Sequence, residues 1–325
     1  MKMLKNGYLA AAAAIFACAL SGVAGAQQYP GGDLHFICGF PAGSGADAIV
    51  RFYAEKLKPI TGRNIIVENR PGAGANIAIE YVAKAKPDGL TILVHGGSGF
   101  AANMHLYKKP PVQSVNAFQT FATINKQAFM MVVDANKPWK TVADVTAAMK
   151  EKGDKATYAT SAPPSIVMGA IYKDAAGLRA VDVNYRTSGD ILNDMLSGAV
   201  DYAMMEPVFA TAQHKQGKLR VLGLSSPERL QAAPELPTMR EQGFPGIRME
   251  LWWAAFVPAE TPKAVSDQLN KWFDQVTATD DAKKFLNNFS SDPFISTPAQ
   301  AQAKLVDDDK TWAEYIKIAK IEPQG

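Results

Sequence analysis

The stretch from Leu34 to Arg51 constrains this chain most. Leu34 to Cys38 is a short, mostly apolar run; Pro41, Gly43 and Gly45 break it; Ile49, Val50, Tyr53, Ala54 and Leu57 then recur at helical spacing after Asp47. An apolar strand that feeds a helix through a small-residue loop is half of a parallel βα unit. The first turn of such a helix has amide N–H groups without partners inside the helix, and the helix dipole places partial positive charge there. Gly43, Ser44, Gly45 and Ala46 leave those donors open to a small anion. A βα turn that binds nothing has the same pattern, so the loop alone leaves both readings open.

The pattern recurs. Asn64 to Glu68 and Leu90 to His95 read as strands, each followed by a glycine-rich loop, with a helix from Ile77 to Ala85 between them. Three such units predict a parallel sheet in which Gly43–Asp47, Gly72–Asn76 and Gly96–Gly99 share the carboxyl rim, where ligands of open α/β sheets bind. A second series follows. Strands are expected at Phe129–Asp134, Ala156–Thr160, Val181–Tyr185, Val200–Met205 and Leu219–Ser225, with helices between them; Thr141 caps the first of these helices, with Asp144 at its third position. Ser161 to Ser165 repeats the strand, small loop and helix start found at the head of the chain. Leu251 to Val257 is a further strand, Pro262 opens a helix, and Leu305, Trp312, Ile316 and Ala319 mark a packing face on the last one.

At 325 residues the chain is long enough for two domains of ordinary size. Its net charge is +3, with Lys2 and Lys5 among the cations and no basic run, so neither nucleic acid nor a membrane surface is indicated as a partner. Lys2 and Lys5 precede an apolar run from Tyr8 to Leu20 and a small-residue site ending at Ala26, the pattern of a secretory signal peptide over residues 1–26. Cys18 raises a lipoprotein alternative, which Phe16 disfavours. With Cys18 removed, Cys38 is the one cysteine left, so burial must hold the fold without a disulfide; Cys38 itself reads as a buried apolar side chain.

Sharper chemistry finds little support. Gly72 to Ile77 resembles a dinucleotide fingerprint but has isoleucine at the third glycine position, and no phosphate-binding Gly-x-x-x-x-Gly-Lys-Ser/Thr occurs. Ser44 and Ser98 lie in glycine loops, yet neither sits in Gly-x-Ser-x-Gly. Of the four histidines, His95 is the only base near a serine, and the plainer reading makes it a satisfied hydrogen-bonder at a sheet edge. No metal-ligand spacing is present. Asp307 to Asp309 reads as a solvated helix face.

Several motifs together carry a family resemblance. They are Pro41 to Asp47 with Arg51, Val67 to Gly74, Ala85 to Gly89, Gly217 to Arg220, Leu236 to Thr238 with Glu241 and Gly243, and Trp253 to Pro258. In this order they resemble the solute receptors of tripartite tricarboxylate transporters, also called Bug-type receptors, from about Tyr29 to Ile321. The resemblance implies an α/β fold of two lobes, a periplasmic-binding-protein clamshell. Each lobe would be a βα sandwich around a mostly parallel sheet: 27–127 with 253–325, and 128–252. It implies a periplasmic, monomeric receptor with no cofactor and no catalysis, which closes on a small carboxylate and hands it to a membrane permease.

It further implies that two loops, one per lobe, hold a ligand carboxylate through backbone amides and bridging waters. These correspond to Phe40, Pro41, Gly43, Ser44, Gly45, Ala46 and Asp47, and to Thr160, Ser161, Ala162 and Ser165. Asp47 reads first as a cap. Ser98 lies on the same rim, Thr187 is placed to reach the far end of a ligand, and Arg186 either pairs a second carboxylate or faces outward. Trp252 and Trp253 face opposite sides of a strand, and Trp252 is taken as the cleft residue. The sequence departs from the family at Pro163-Pro164, where glycines are usual, and at Met205-Glu206, where an aspartate is usual. Glu206 is that aspartate's counterpart shifted by one position, or Met205 replaces it; a cleft lined by Met205 and Phe209 would favour an aromatic carboxylate or a longer dicarboxylate over citrate. A secreted hydrolase and a sensor feeding a signalling partner remain the alternatives at this point.

Overall fold

The computed structural model describes residues 29–325. The expected signal peptide over residues 1–26 lies outside them. The described chain begins with β1 (Leu34–Cys38), α1 (Gly45–Thr61), β2 (Ile65–Asn69), α2 (Asn76–Ala83), β3 (Thr91–Gly96), α3 (Gly97–Leu106) and β4 (Phe118–Gln127). It continues with β5 (Met130–Asp134), α4 (Val142–Lys152), β6 (Thr157–Thr160), α5 (Pro163–Ala175), β7 (Val181–Asn184), α6 (Ser188–Ser197), β8 (Tyr202–Met205), α7 (Pro207–Lys215) and β9 (Leu219–Leu224). The last elements are β10 (Leu251–Pro258), α8 (Lys263–Thr277), α9 (Asp280–Asn287), β11 (Asp292–Pro293) and α10 (Pro298–Ile318).

These strands form two sheets, β11-β4-β10-β3-β1-β2 and β7-β6-β8-β5-β9, one per lobe. The strands joined by helices pair as expected: β1 lies parallel to β2 and β3, and β6 parallel to β7 and β8. The sheets are nevertheless mixed rather than mostly parallel. β10 runs antiparallel to β3 and β4, β11 antiparallel to β4, and β5 antiparallel to β8 and β9. β4 runs on into β5 through Ala128 and Phe129 alone, and β10 follows the long loop after β9. Neither β5 nor β10 enters its sheet through a βα crossover, so the rule that makes such neighbours parallel does not act on them.

Each lobe buries an aromatic core. In the first, Phe273 of α8 packs on Phe36, Tyr53 and Phe121 with ring centroids 5.2 to 5.7 Å apart, and the Tyr53 hydroxyl hydrogen-bonds Thr277 at 2.8 Å. In the second, Tyr158 stacks on Tyr202, whose ring meets Tyr172 edge-on. Thr141 caps α4 in a full capping box with Asp144, as its spacing predicts. Where the chain passes between the sheets, Ser225 ties the two crossings together. Its amide donates to Phe129 O and its hydroxyl to Met249 O, while it accepts from the amides of both Phe129 and Met249.

Two sequence expectations change here. Gly97 to Gly99, expected in the loop after β3, open a helix that runs to Leu106, and α10 does not leave Asp307 to Asp309 simply solvated. Asp308 is buried enough for its carboxyl to rise above the ordinary value, and it accepts from the Trp252 indole; Asp309 pairs with His105 at 2.8 Å. Among the described residues, no helix is long and apolar enough to cross a membrane, and no cluster of side chains could hold a metal ion.

Candidate functional site

The carboxyl ends of both sheets face a cavity of about 340 Å³. From the first lobe it is lined by the β1–α1 loop (Phe40 to Ala46), Gly74, His95, Ser98 and Trp253; from the second by Ser161 to Pro164, Arg186 to Gly189, Glu206, Val208 and Phe209. The first turns of α1, α3, α5, α6 and α7 therefore border one space, and what each turn offers depends on how it is capped.

At α1 the turn is partly open. The Ser44 hydroxyl accepts from the Asp47 amide at 3.2 Å, and Asp47 folds back to accept from the Gly43 amide at 2.8 Å. The Asp47 carboxylate also takes Arg51 Nε and Asn69 Nδ2, each at 2.8 Å. Burial pushes the Asp47 carboxyl up, but the Arg51 guanidinium with the Gly43 and Asn69 amides outweighs it and holds the group below its ordinary value. Asp47 is thus the clamp of the loop, 3% exposed and outside the cavity wall. The amides of Gly45 and Ala46 have no acceptor among the described residues. Gly45 must lack a side chain, because a Cβ there would lie 2.6 Å from Val208 Cβ across the cleft.

At α5 the expected amide seat is closed. Ser165 Oγ reaches back to accept from Ser161 N at 3.1 Å and Ala162 N at 3.0 Å, and it donates to Ala162 O. Pro163 and Pro164 have no N–H to add. Ser165 is fully buried, and so is Thr160, whose hydroxyl donates to Asp182 at 3.0 Å; neither reaches the cavity. Ser161 and Ala162 do line it, but with their amides already taken.

In lobe two the open donors lie at α6. Thr187 caps the Asp190 amide at 3.2 Å, while the amides of Ser188 and Gly189 have no acceptor among the described residues, and Arg186 stands beside them. At α7, Glu206 caps its own helix by accepting from Val208 N at 2.7 Å and Phe209 N at 3.0 Å. Burial pushes its carboxyl up to about 7 against the pull of those two amides. Glu206 and Arg186 are the charged side chains of the wall.

Of the remaining expectations, Met205 is fully buried in β8 opposite Met130, so its side chain belongs to the lobe-two core rather than the cleft. Ser98 borders the cavity, but its hydroxyl accepts from the Trp252 amide at 3.3 Å. Trp252 borders it too, with its indole pinned by Asp308. The neighbouring Trp253 carries the ring contacts there, with Phe40 at 6.2 Å and His95 at 6.0 Å. His95 is not the satisfied edge residue expected. It is 1% exposed, and neither ring nitrogen has a partner, so no Ser98–His95 couple exists for hydrolysis. Its place at the end of β3 was readable in the sequence; its missing partners were not.

The sequence profile described as the tripartite tricarboxylate transporter family receptor matches residues 49–321. The chain belongs to that family. This tripartite tricarboxylate transporter receptor is 28% identical to a Pseudomonas sp. protein named UPF0065 protein in tcbD-tcbE intergenic region, over 89% of this chain and 87% of that one. It is 26% identical to protein BugT of Bordetella pertussis, over 90% of each. The solved structure of the periplasmic binding protein BugD superposes with a TM-score of 0.83 at 28% identity, covering 91% of this chain and all of that one. The receptor therefore has the two-lobed periplasmic-binding-protein fold, and as a member of a solute-binding family it is not an enzyme.

Proposed function

We propose that this chain is an exported, monomeric periplasmic receptor that captures a small organic carboxylate between its lobes and delivers it to the membrane permease of a tripartite transporter. The observation that carries the reading is the pair of open amides at Gly45 and Ala46, at the positive end of α1 and facing the cavity. The cavity size suits a small ligand, and a ligand held from both sides favours the closed form by contacts that exist only there. The lobes are taken as 27–127 with 253–325, and 128–252, hinging where Ser225 joins the crossings.

Ligand contact is assigned to Phe40, Pro41 and Gly43 to Ala46 in lobe one, and to Ser161, Ala162, Thr187 and Glu206 in lobe two. The walls between the polar ends include Phe40, Phe129, Phe209, Ile49, Val208 and Trp253, so most of the ligand body is apolar. An aromatic carboxylate or a longer dicarboxylate fits better than citrate.

Isothermal titration with adipate, benzoate and citrate tests this. Adipate or benzoate is expected to bind and to raise the melting temperature without being consumed, with citrate weaker. Ser44→Tyr, which fills the α1 seat, is expected to abolish binding while the unliganded protein still melts cooperatively. Unchanged affinity in that variant, or no response to any carboxylate, overturns the assignment.

A further inference from the structure

We infer that His95 is a specificity-determining residue of this cavity, and that the ligand is a carboxylate whose body carries an uncharged polar group, such as a hydroxyl, that hydrogen-bonds the imidazole. This rests on the carboxylate-receptor reading and deepens it. His95 is the second-last residue of β3, opposite Ala254 of β10, and its ring lies against Phe40 at 5.3 Å and Trp253 at 6.0 Å on the cavity wall. Side chains buried this deeply are almost always hydrogen-bonded, and an unmade bond in such a place is costly. Here both ring nitrogens are without partners: the Phe40 ring offers none, and the Trp253 indole N–H makes no bond to them. The group that completes His95 therefore comes from what enters the cavity.

The charge of that group follows from the surroundings. Burial pushes the imidazole down to about 4, so near neutral pH the ring is uncharged and presents one N–H donor and one bare nitrogen acceptor. A second carboxylate lodged there would use only the donor and would be desolvated with no cation beside it. Arg186 belongs to the other lobe and is exposed. A hydroxyl can use either nitrogen of the ring at no charge cost. Sites that hydrogen-bond a ligand hydroxyl reject the analogue lacking it far more strongly than apolar pockets reject a methylene.

The test uses two matched series, benzoate, 4-hydroxybenzoate and terephthalate, and hexanoate, 6-hydroxyhexanoate and adipate, titrated into the wild-type chain and into His95→Phe. In the series that binds, the hydroxylated member is expected to bind at least about tenfold more tightly than the other two in the wild type. His95→Phe keeps the ring shape and is expected to lower that member to the level of the unsubstituted acid, leaving the unsubstituted acid within about threefold of wild type. The His95 ring-nitrogen NMR signals are expected to move with the hydroxylated ligand and not with the unsubstituted one. A preference that survives His95→Phe overturns the inference, as does equal weakening of all three ligands or tightest wild-type binding by the dicarboxylate. In each of those cases the carboxylate-receptor reading stands. Absence of binding by every member overturns both.

Discussion

Glu206 shows how one side chain in this cavity couples stability to pH. It caps α7 through two amides, which favours the ionised form, yet burial outweighs them and places its carboxyl at about 7, above the ordinary 4.5. The folded chain therefore holds this proton more tightly than the unfolded chain does. The resulting stabilisation is complete below about pH 4.5 and is lost as pH rises through about 7. Glutamine keeps an acceptor for the cap and never ionises. Glu206→Gln is expected to match the wild type near pH 4 and to exceed it by up to about 3 kcal/mol at pH 8, measured by urea denaturation at both values. A carboxylate ligand sharing the cavity favours protonated Glu206. Wild-type affinity should thus rise as pH falls from 8 to 5, and the affinity of the variant should stay level. Parallel pH profiles for the two proteins would remove Glu206 from this role.

At the scale of elements, the site is decided by which helix starts are already satisfied. α1 and α5 have nearly the same sequence signature, a strand followed by small polar residues and then a helix. In α1 the serine stands before the helix and caps forward, leaving Gly45 and Ala46 open. In α5 the serine stands at the third helical position and reaches back, taking Ser161 and Ala162. A shift of the hydroxyl by a few residues changes an anion seat into a closed turn, and the sequence motif does not report which way the hydroxyl turns. Ser165→Ala would leave both half-buried amides without an acceptor from the protein. It is expected to lower stability by about 1–3 kcal/mol in urea denaturation; a change under a few tenths of a kcal/mol would mean water caps the turn equally well. The helix at Gly97 and the strand β4, for which the sequence carries no expectation, are explained by packing. Gly97 and Gly99 have poor helix propensity, but the Trp252 ring occupies the place a Cβ at Gly97 would need, so packing requires glycine inside α3. β4 shows no clear alternation because both of its faces are buried, although it lies next to the edge of its sheet.

For the whole molecule, Gly45 is a point beside the cavity where a loop of one lobe packs directly on Val208 of the other. A methyl group added there meets Val208 Cβ at 2.6 Å, and neither atom belongs to the free end of a flexible side chain. Gly45→Ala is expected to stop closure short, weakening ligand binding at least about tenfold while the unliganded protein keeps its melting temperature within about 2 °C. Small-angle scattering should show the ligand-induced compaction of the wild type lost in the variant. Compaction and affinity equal to wild type would mean the lobes close elsewhere.

The sequence by itself determined the α/β class, the two series of βα units, the Thr141 cap and the loops that gather at the cavity, because apolar period, glycine and proline breaks and capping residues act over a few positions. It also carried the family, through motifs spread along the chain. Tertiary structure alone decided that β5 and β10 run against their neighbours, that Ser165 closes one amide seat while Thr187 leaves another open, that Met205 turns into the core, and that His95 is buried with nothing to bond. Each of these depends on a partner far away in the sequence, or on a side-chain torsion, and local pattern fixes neither.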